Sequence, residues 1–117
     1  MSKARAKGTA WESELVPILS AVFGLRVERA PLKGQADHGD FVNVPYLVEA
    51  KKTNQPRFLE WARIAARKAA GAGWVIIWAG DRRKGDGPYV IMPLDQWAGM
   101  QSEITSQRIR ETGAWPS

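Results

Sequence analysis

Residues 40–52 read Asp-Phe-Val-Asn-Val-Pro-Tyr-Leu-Val-Glu-Ala-Lys-Lys, two short apolar runs separated by Pro45. Branched and aromatic side chains favour strands at 40–44 and 46–52, and a proline is typical of the tight connection between them. We expect these strands to form an antiparallel pair. Side chains alternate along a strand, so the pattern predicts that Glu49 and Lys51 share a face with Leu47.

The sequence on either side of this hairpin predicts an α/β fold. Trp74 to Ala79 is continuously apolar, as in a central strand that is covered on both faces. Thr9 and Glu12 match a capping box that would open the first helix, and Asp95 is the expected N-cap of a later one. The other predicted elements are helices at 9–23, 58–70, 93–100 and 102–111, strands at 25–30 and 89–92, and loops at 31–39 and 80–88. The order helix, three strands, helix, two strands, helix predicts a mixed sheet flanked by helices.

Length and composition limit the kinds of site that the chain can build. With 117 residues it forms one domain. It has no cysteine and one histidine, which excludes disulfide frameworks, cysteine nucleophiles and Cys/His zinc sites. The net charge of +5 favours a polyanionic partner, with nucleic acid the leading candidate. The longest apolar run is too short to cross a bilayer, and the start of the chain lacks an apolar secretory segment, so we expect a cytoplasmic protein without a membrane partner.

Three segments follow from this pattern. We predict that residues 1–8, in which Lys3, Arg5 and Lys7 alternate with small residues, form a basic, flexible arm that lies along phosphates, with a solubilising tail as the alternative. Residues 9–101 form the main domain, and residues 102–117 form a polar tail or helix.

Asp40, Glu49 and Lys51 are the leading candidates for chemistry. Two carboxylates on adjacent strands are ligands suited to Mg²⁺, and the backbone carbonyl of Ala50 supplies a third oxygen. Lys51 would stand beside the ion, where it could orient or deprotonate water. Two alternatives stay open: Asp37 replaces Asp40 as the acidic ligand, or Glu49 and Lys51 form an exposed ion pair of little energetic value.

Several short motifs resemble those of the PD-(D/E)xK nuclease superfamily, and more narrowly the small Holliday junction resolvase-like nucleases of archaea and phages. The resemblance rests on four stretches, which are residues 8–12 (Gly-Thr-Ala-Trp-Glu), Glu28-Arg29, Gly34 together with residues 37–40 (Asp-His-Gly-Asp), and residues 48–51 (Val-Glu-Ala-Lys). It is strong over the first half of the chain and extends to the second half only in the order of elements. Two positions depart from the usual pattern: Gly39 replaces a proline, and His38 stands where arginine is common in similar phage sequences.

The resemblance implies a restriction-endonuclease-like three-layer core and a metal-dependent endonuclease that uses Mg²⁺ or Mn²⁺. Asp40, Glu49 and Lys51 match the core motif. Glu12 matches a helix glutamate that reaches the metal directly or through water, although a role in the capping box competes with that one. The resemblance also places Arg29 at a phosphate contact.

The expected substrate is branched DNA, most of all a four-way junction cut by a homodimer. The candidate DNA contacts are Lys3, Arg5, Lys7, Arg29, His38, Lys52, Arg82, Arg83 and Lys84. Trp61 and Ile64, apolar residues among the charges of the second helix, are the candidate dimer contacts. Nucleases for ends, flaps or duplex DNA remain an alternative, and so does a basic DNA-binding protein without catalytic activity.

Overall fold

The computed structural model describes residues 3–31 and 39–113, with side chains from Gly8 onward within those ranges. The elements follow the predicted order of helix, three strands, helix, two strands and helix. They are α1 (Lys3–Phe23), β1 (Glu28–Arg29), β2 (Phe41–Val42), β3 (Leu47–Lys52), α2 (Phe58–Ala69), β4 (Trp74–Ala79), β5 (Tyr89–Ile91) and α3 (Leu94–Thr112), with a short 3₁₀ turn at Arg82–Lys84.

A three-stranded mixed sheet of order β3-β4-β5 forms the centre of the molecule. Strand β4 pairs in parallel with β3, where Glu49 lies opposite Ile76, and antiparallel with β5. All six residues of β4 are buried, which confirms the central strand predicted from its unbroken apolar sequence. The mixed α/β class is therefore confirmed.

Helices α1 and α2 cover opposite faces of this sheet, because alternate strand residues belong to two separate apolar clusters. Val48, Val75 and Ile77 pack with Trp11 and other residues of α1. On the other face, Leu47, Trp74 and Ile76 pack with Ala65 of α2. The small side chain of Ala65 lets the helix backbone approach the sheet closely.

The predicted hairpin of β2 and β3 is wrong. Strand β2 pairs with β1 in a separate two-stranded antiparallel sheet, whereas β3 takes β4 as its partner. One backbone hydrogen bond, from the Asp40 amide to the Val48 carbonyl at 3.0 Å, joins the two segments. Asn43 has φ of 62°, which is incompatible with extended backbone and ends β2 after two residues.

Three predictions about helix ends are also wrong. Helix α1 begins at Lys3, so Thr9 and Glu12 lie inside it and do not form a capping box. The two helices predicted at 93–100 and 102–111 are a single helix, α3, which runs without interruption from Leu94 to Thr112. Pro93 is its N-cap, and the Asp95 carboxylate accepts a hydrogen bond only from the neighbouring amide of Gln96.

Within the described ranges, no helix combines the length and the apolar character that a bilayer span requires.

Candidate functional site

Asp40 is held against the outer edge of β3 by backbone contacts on both sides. Its amide donates to Val48 and its carbonyl accepts from Ala30, and its Oδ2 accepts the Ala50 amide at 2.7 Å. Gly39 permits this approach, since a Cβ there would lie 2.9 Å from the Val48 carbonyl oxygen and φ is +100°. The absence of a side chain at position 39 therefore has a steric reason.

Asp40 and Glu49 form a hydrogen-bonded pair of carboxyl groups. Glu49 is buried, with 5% of its surface exposed. Burial, followed by the negative charge of Asp40, raises the pKa of Glu49 to about 7. Burial also raises the pKa of Asp40, while its hydrogen bonds to the Ala50 amide and to Glu49 lower it. Because the shared hydrogen bond raises the pKa of Glu49 and lowers that of Asp40, Glu49 is the group that keeps the proton.

Two lysines approach this pair on the α2 side of the sheet. Lys51 shares the face of Glu49, as predicted, and its ammonium lies 5.7 Å from the centre of the Trp61 ring. The positive charge of Lys51 acts to lower the pKa of Asp40. Lys68, from the last turn of α2, places its ammonium 2.8 Å from Oε1 of Glu49. The alternative in which Glu49 and Lys51 form an exposed ion pair is wrong, because Glu49 is buried and pairs with Lys68.

Glu12 approaches from α1, on the opposite face of the sheet. Its carboxylate lies 3.3 Å from Nε of Arg29, and both side chains are partly buried. Its negative charge acts to raise the pKa of Asp40, so it lies within electrostatic range of the carboxyl pair. Glu12 therefore forms an ion pair with Arg29 and also influences the charge state of Asp40.

The oxygen atoms at this edge fit a divalent cation of the Mg²⁺ type. A residue in a strand directs its amide and carbonyl to the same side, so the Ala50 carbonyl faces the edge where Asp40 binds the Ala50 amide. With the two carboxyl groups it offers three hard oxygen donors, the ligand type that Mg²⁺ and Mn²⁺ take. Residues 3–31 and 39–113 contain no cluster of three or more acidic or histidine side chains suited to a metal ion. The carbonyl and water would therefore have to complete the coordination.

The predicted DNA contacts separate into internal and exposed groups. Lys52 donates to the Gly80 carbonyl at 2.9 Å, and Arg82 pairs with Glu14 at 2.8 Å, so both have partners within the molecule, although the Arg82 side chain is 43% exposed. Arg83 and Lys84 are exposed on the 3₁₀ turn; the Arg83 side chain is 95% exposed, and its Nε lies 3.7 Å from the Asp81 carboxylate. The side chains of Lys3, Arg5 and Lys7, together with His38 and the alternative ligand Asp37, lie outside the described residues.

The two dimer candidates on α2 have different surroundings. Trp61 packs against the apolar cluster beneath α2 and contacts Phe58 edge-to-face at 5.6 Å. Packing within the protomer therefore explains this tryptophan without a partner. Ile64 is partly buried beside Arg63 and Arg67 on the outer surface of the helix.

Lys68 belongs to this site, although it is not among the residues predicted from the sequence. A signal was present, because Trp61 and Lys68 are seven residues apart and therefore lie on one side of a helix. That side borders the alanine face and runs beside β3. Long side chains there reach the edge of the sheet, which explains the contacts with Lys51 and Glu49.

Comparison with known proteins returned no match to any family model, curated protein or solved structure.

Proposed function

We propose that this protein is a metal-dependent endonuclease that hydrolyses phosphodiester bonds in branched DNA, with the four-way junction as its preferred substrate and a homodimer as its active form. The observation that carries the proposal is the pairing of the Asp40 and Glu49 carboxyl groups at the edge of β3, with Lys51 two residues further on the same face. The α/β/α layering supports a restriction-endonuclease-like core. The net charge of +5 supports a polyanionic substrate.

Asp40, Glu49 and the Ala50 carbonyl would hold Mg²⁺ or Mn²⁺. When bound, such an ion lowers the pKa of water and neutralises charge on the phosphate. Lys51 Nζ, as an ammonium, would donate hydrogen bonds to the attacked phosphate and to the attacking water, and so orient both. Trp61 restricts where that ammonium can go, because the ring lies beside it at 5.7 Å.

Arg29 would contact phosphate from β1, where it pairs with Phe41, the residue that follows Asp40. Glu12 acts as its positioning residue, since the ion pair at 3.3 Å holds the guanidinium against a carboxylate that lies within electrostatic range of Asp40. Arginine retains further N–H donors for a phosphate when one nitrogen is engaged. In this arrangement Glu12 contributes through Arg29 and need not bind the ion.

Cleavage of labelled DNA tests the proposal. Wild type with Mg²⁺ should nick a four-way junction at paired positions and leave the matched linear duplex intact, and a chelator should abolish the nicks. Glu49→Gln keeps the shape of the side chain but removes the charged ligand, and Lys51→Met removes the ammonium. Each should lower the cleavage rate by about a hundredfold or more while junction affinity is retained. Glu103→Gln, on the exposed surface of α3, is the matched control.

Three results would contradict the proposal in different ways. Equal cleavage of junction and duplex would support nuclease activity but contradict the preference for branched DNA. Near-normal cleavage by Glu49→Gln would remove the carboxyl pair from the mechanism. Salt-sensitive DNA binding without cleavage, unchanged by chelator, would instead favour the DNA-binding protein without catalytic activity.

A further inference from the structure

Lys68 already supplies a positive charge to the carboxyl pair. Its ammonium is 2.8 Å from Glu49 Oε1, and the Glu49 side chain is only 6% exposed. The contact joins the last turn of α2 to the middle of β3. It is separate from the Asp40–Glu49–Lys51 pattern, whose residues all lie within positions 40–51.

This contact uses the same oxygen donor group that a divalent cation would need. A cation bound to Glu49 would lie close to the ammonium, and two positive charges in a poorly hydrated site repel each other strongly. When the ion binds, the ammonium must therefore move away from Glu49; if it stays, its repulsion weakens the binding of the ion.

The surroundings of Lys68 allow it to move. The Lys68 side chain is 26% exposed, so a path to water exists for its ammonium. Helix α2 is also held on the sheet by Trp61, Ala62, Ala65 and Ala69, which pack against Leu47 and Ile76. Release of one ion pair would leave that apolar contact in place.

We propose that Lys68 is an internal competitor of the divalent cation: its ammonium occupies Glu49 Oε1 in the ion-free protein and is displaced when the ion binds. This inference rests on the proposed function of the carboxyl pair as a metal site. It makes Lys68 a positioning residue that sets the affinity for the ion.

Calorimetric titration of the full chain with Ca²⁺, without DNA, tests this inference. Lys68→Met removes the charge and keeps the length of the side chain, so the dissociation constant should fall by about tenfold or more. Lys68→Arg keeps the charge and should remain within about threefold of wild type. The titrations are run at about pH 8.5, so that protons compete little for the carboxylates.

Thermal unfolding gives a second readout. Without Ca²⁺, Lys68→Met should unfold at a lower temperature than wild type, because a buried carboxyl is left without its counter-charge. Added Ca²⁺ should raise the unfolding temperature of the variant more than that of wild type, since tighter binding stabilises the folded state more. A variant that folds only with Ca²⁺ supports the proposal, and one that fails to fold at every Ca²⁺ concentration shows a structural role and overturns it.

Glu49→Gln separates this inference from the proposed function. If wild type binds Ca²⁺ and Glu49→Gln does not, the carboxyl pair is the metal site. In that case, unchanged or weaker Ca²⁺ binding by Lys68→Met overturns only the proposed competition. If Glu49→Gln binds Ca²⁺ as wild type does, the carboxyl pair is not the metal site and both proposals fail.

Discussion

Glu49 shows how one buried carboxyl group makes stability depend on pH. Its pKa is about 7 in the folded protein, against an ordinary value of 4.5, with burial as the largest cause. Between these two values the folded chain keeps a proton that the unfolded chain has released. Stability contributed by Glu49 is therefore present at low pH and declines as the pH rises through this window.

Glu49→Gln should remove this dependence, because an amide does not titrate in this range. The free energy of unfolding of wild type, minus that of Glu49→Gln, should decline by on the order of 2 kcal/mol between about pH 5 and about pH 8. Urea titrations at several pH values measure it. Glu103→Gln should show no such trend, and a difference that rises with pH would mean that the pKa of Glu49 is lowered by folding.

At the scale of elements, the side chain of Gln96 attaches α3 to the sheet by hydrogen bonds to the backbone of Trp74. The Gln96 amide accepts the Trp74 N–H and donates to the Trp74 carbonyl, both at 3.0 Å, where β4 begins. Further along α3 no residue is buried. The attachment of this helix therefore depends strongly on its first turn.

Gln96→Ala should lower the free energy of unfolding by about 1–3 kcal/mol, because it leaves both backbone groups of Trp74 without the partner they have now. Gln107→Ala is the matched control, since Gln107 donates only across an exposed turn to Glu111. That variant should change stability by less than about 0.5 kcal/mol. Equal effects of the two substitutions, in denaturant titrations, would show that the hydrogen bonds of Gln96 contribute nothing.

For the whole molecule, the contribution of the net charge of +5 to DNA binding depends on which basic side chains can reach a phosphate. Arg83 and Lys84 project from the 3₁₀ turn, whereas Arg82 pairs with Glu14 and lies 4.9 Å from the centre of the Trp11 ring. Three consecutive basic residues thus have different roles. Arg82 connects the turn to α1, and we expect Arg83 and Lys84 to be the two that bind phosphates.

The double variant Arg83→Ala/Lys84→Ala should weaken DNA binding and reduce the slope of log affinity against log salt by about 2, one for each phosphate that the variant no longer neutralises. Fluorescence anisotropy at several salt concentrations gives the slope. Arg82→Ala should leave the slope within about 0.5 of wild type while lowering stability. If Arg82→Ala changes the slope as much as the double variant does, the assignment of the three residues is wrong.

Local pattern was enough to predict α2, β4 and the face shared by Glu49 and Lys51. Each follows from interactions between residues near in sequence: the continuous apolar run of 74–79, the spaced alanines of α2 and the alternation along β3. The pairing of β2 with β1 could not be predicted from residues near in sequence. An extended segment can pair at either edge with any other, and long-range packing decides between the partners.

The sequence by itself determined the α/β class, the element order and the concentration of acidic and basic residues around positions 40–51. Only the tertiary structure brought Lys68 to Glu49, Arg29 to Glu12 and Arg82 to Glu14, which are 19, 17 and 68 positions apart. Secondary structure follows the chemical nature of neighbouring residues. An ion pair between distant elements depends on how the helices pack on the sheet, and burial of Glu49 in that packing is what raises its pKa to about 7.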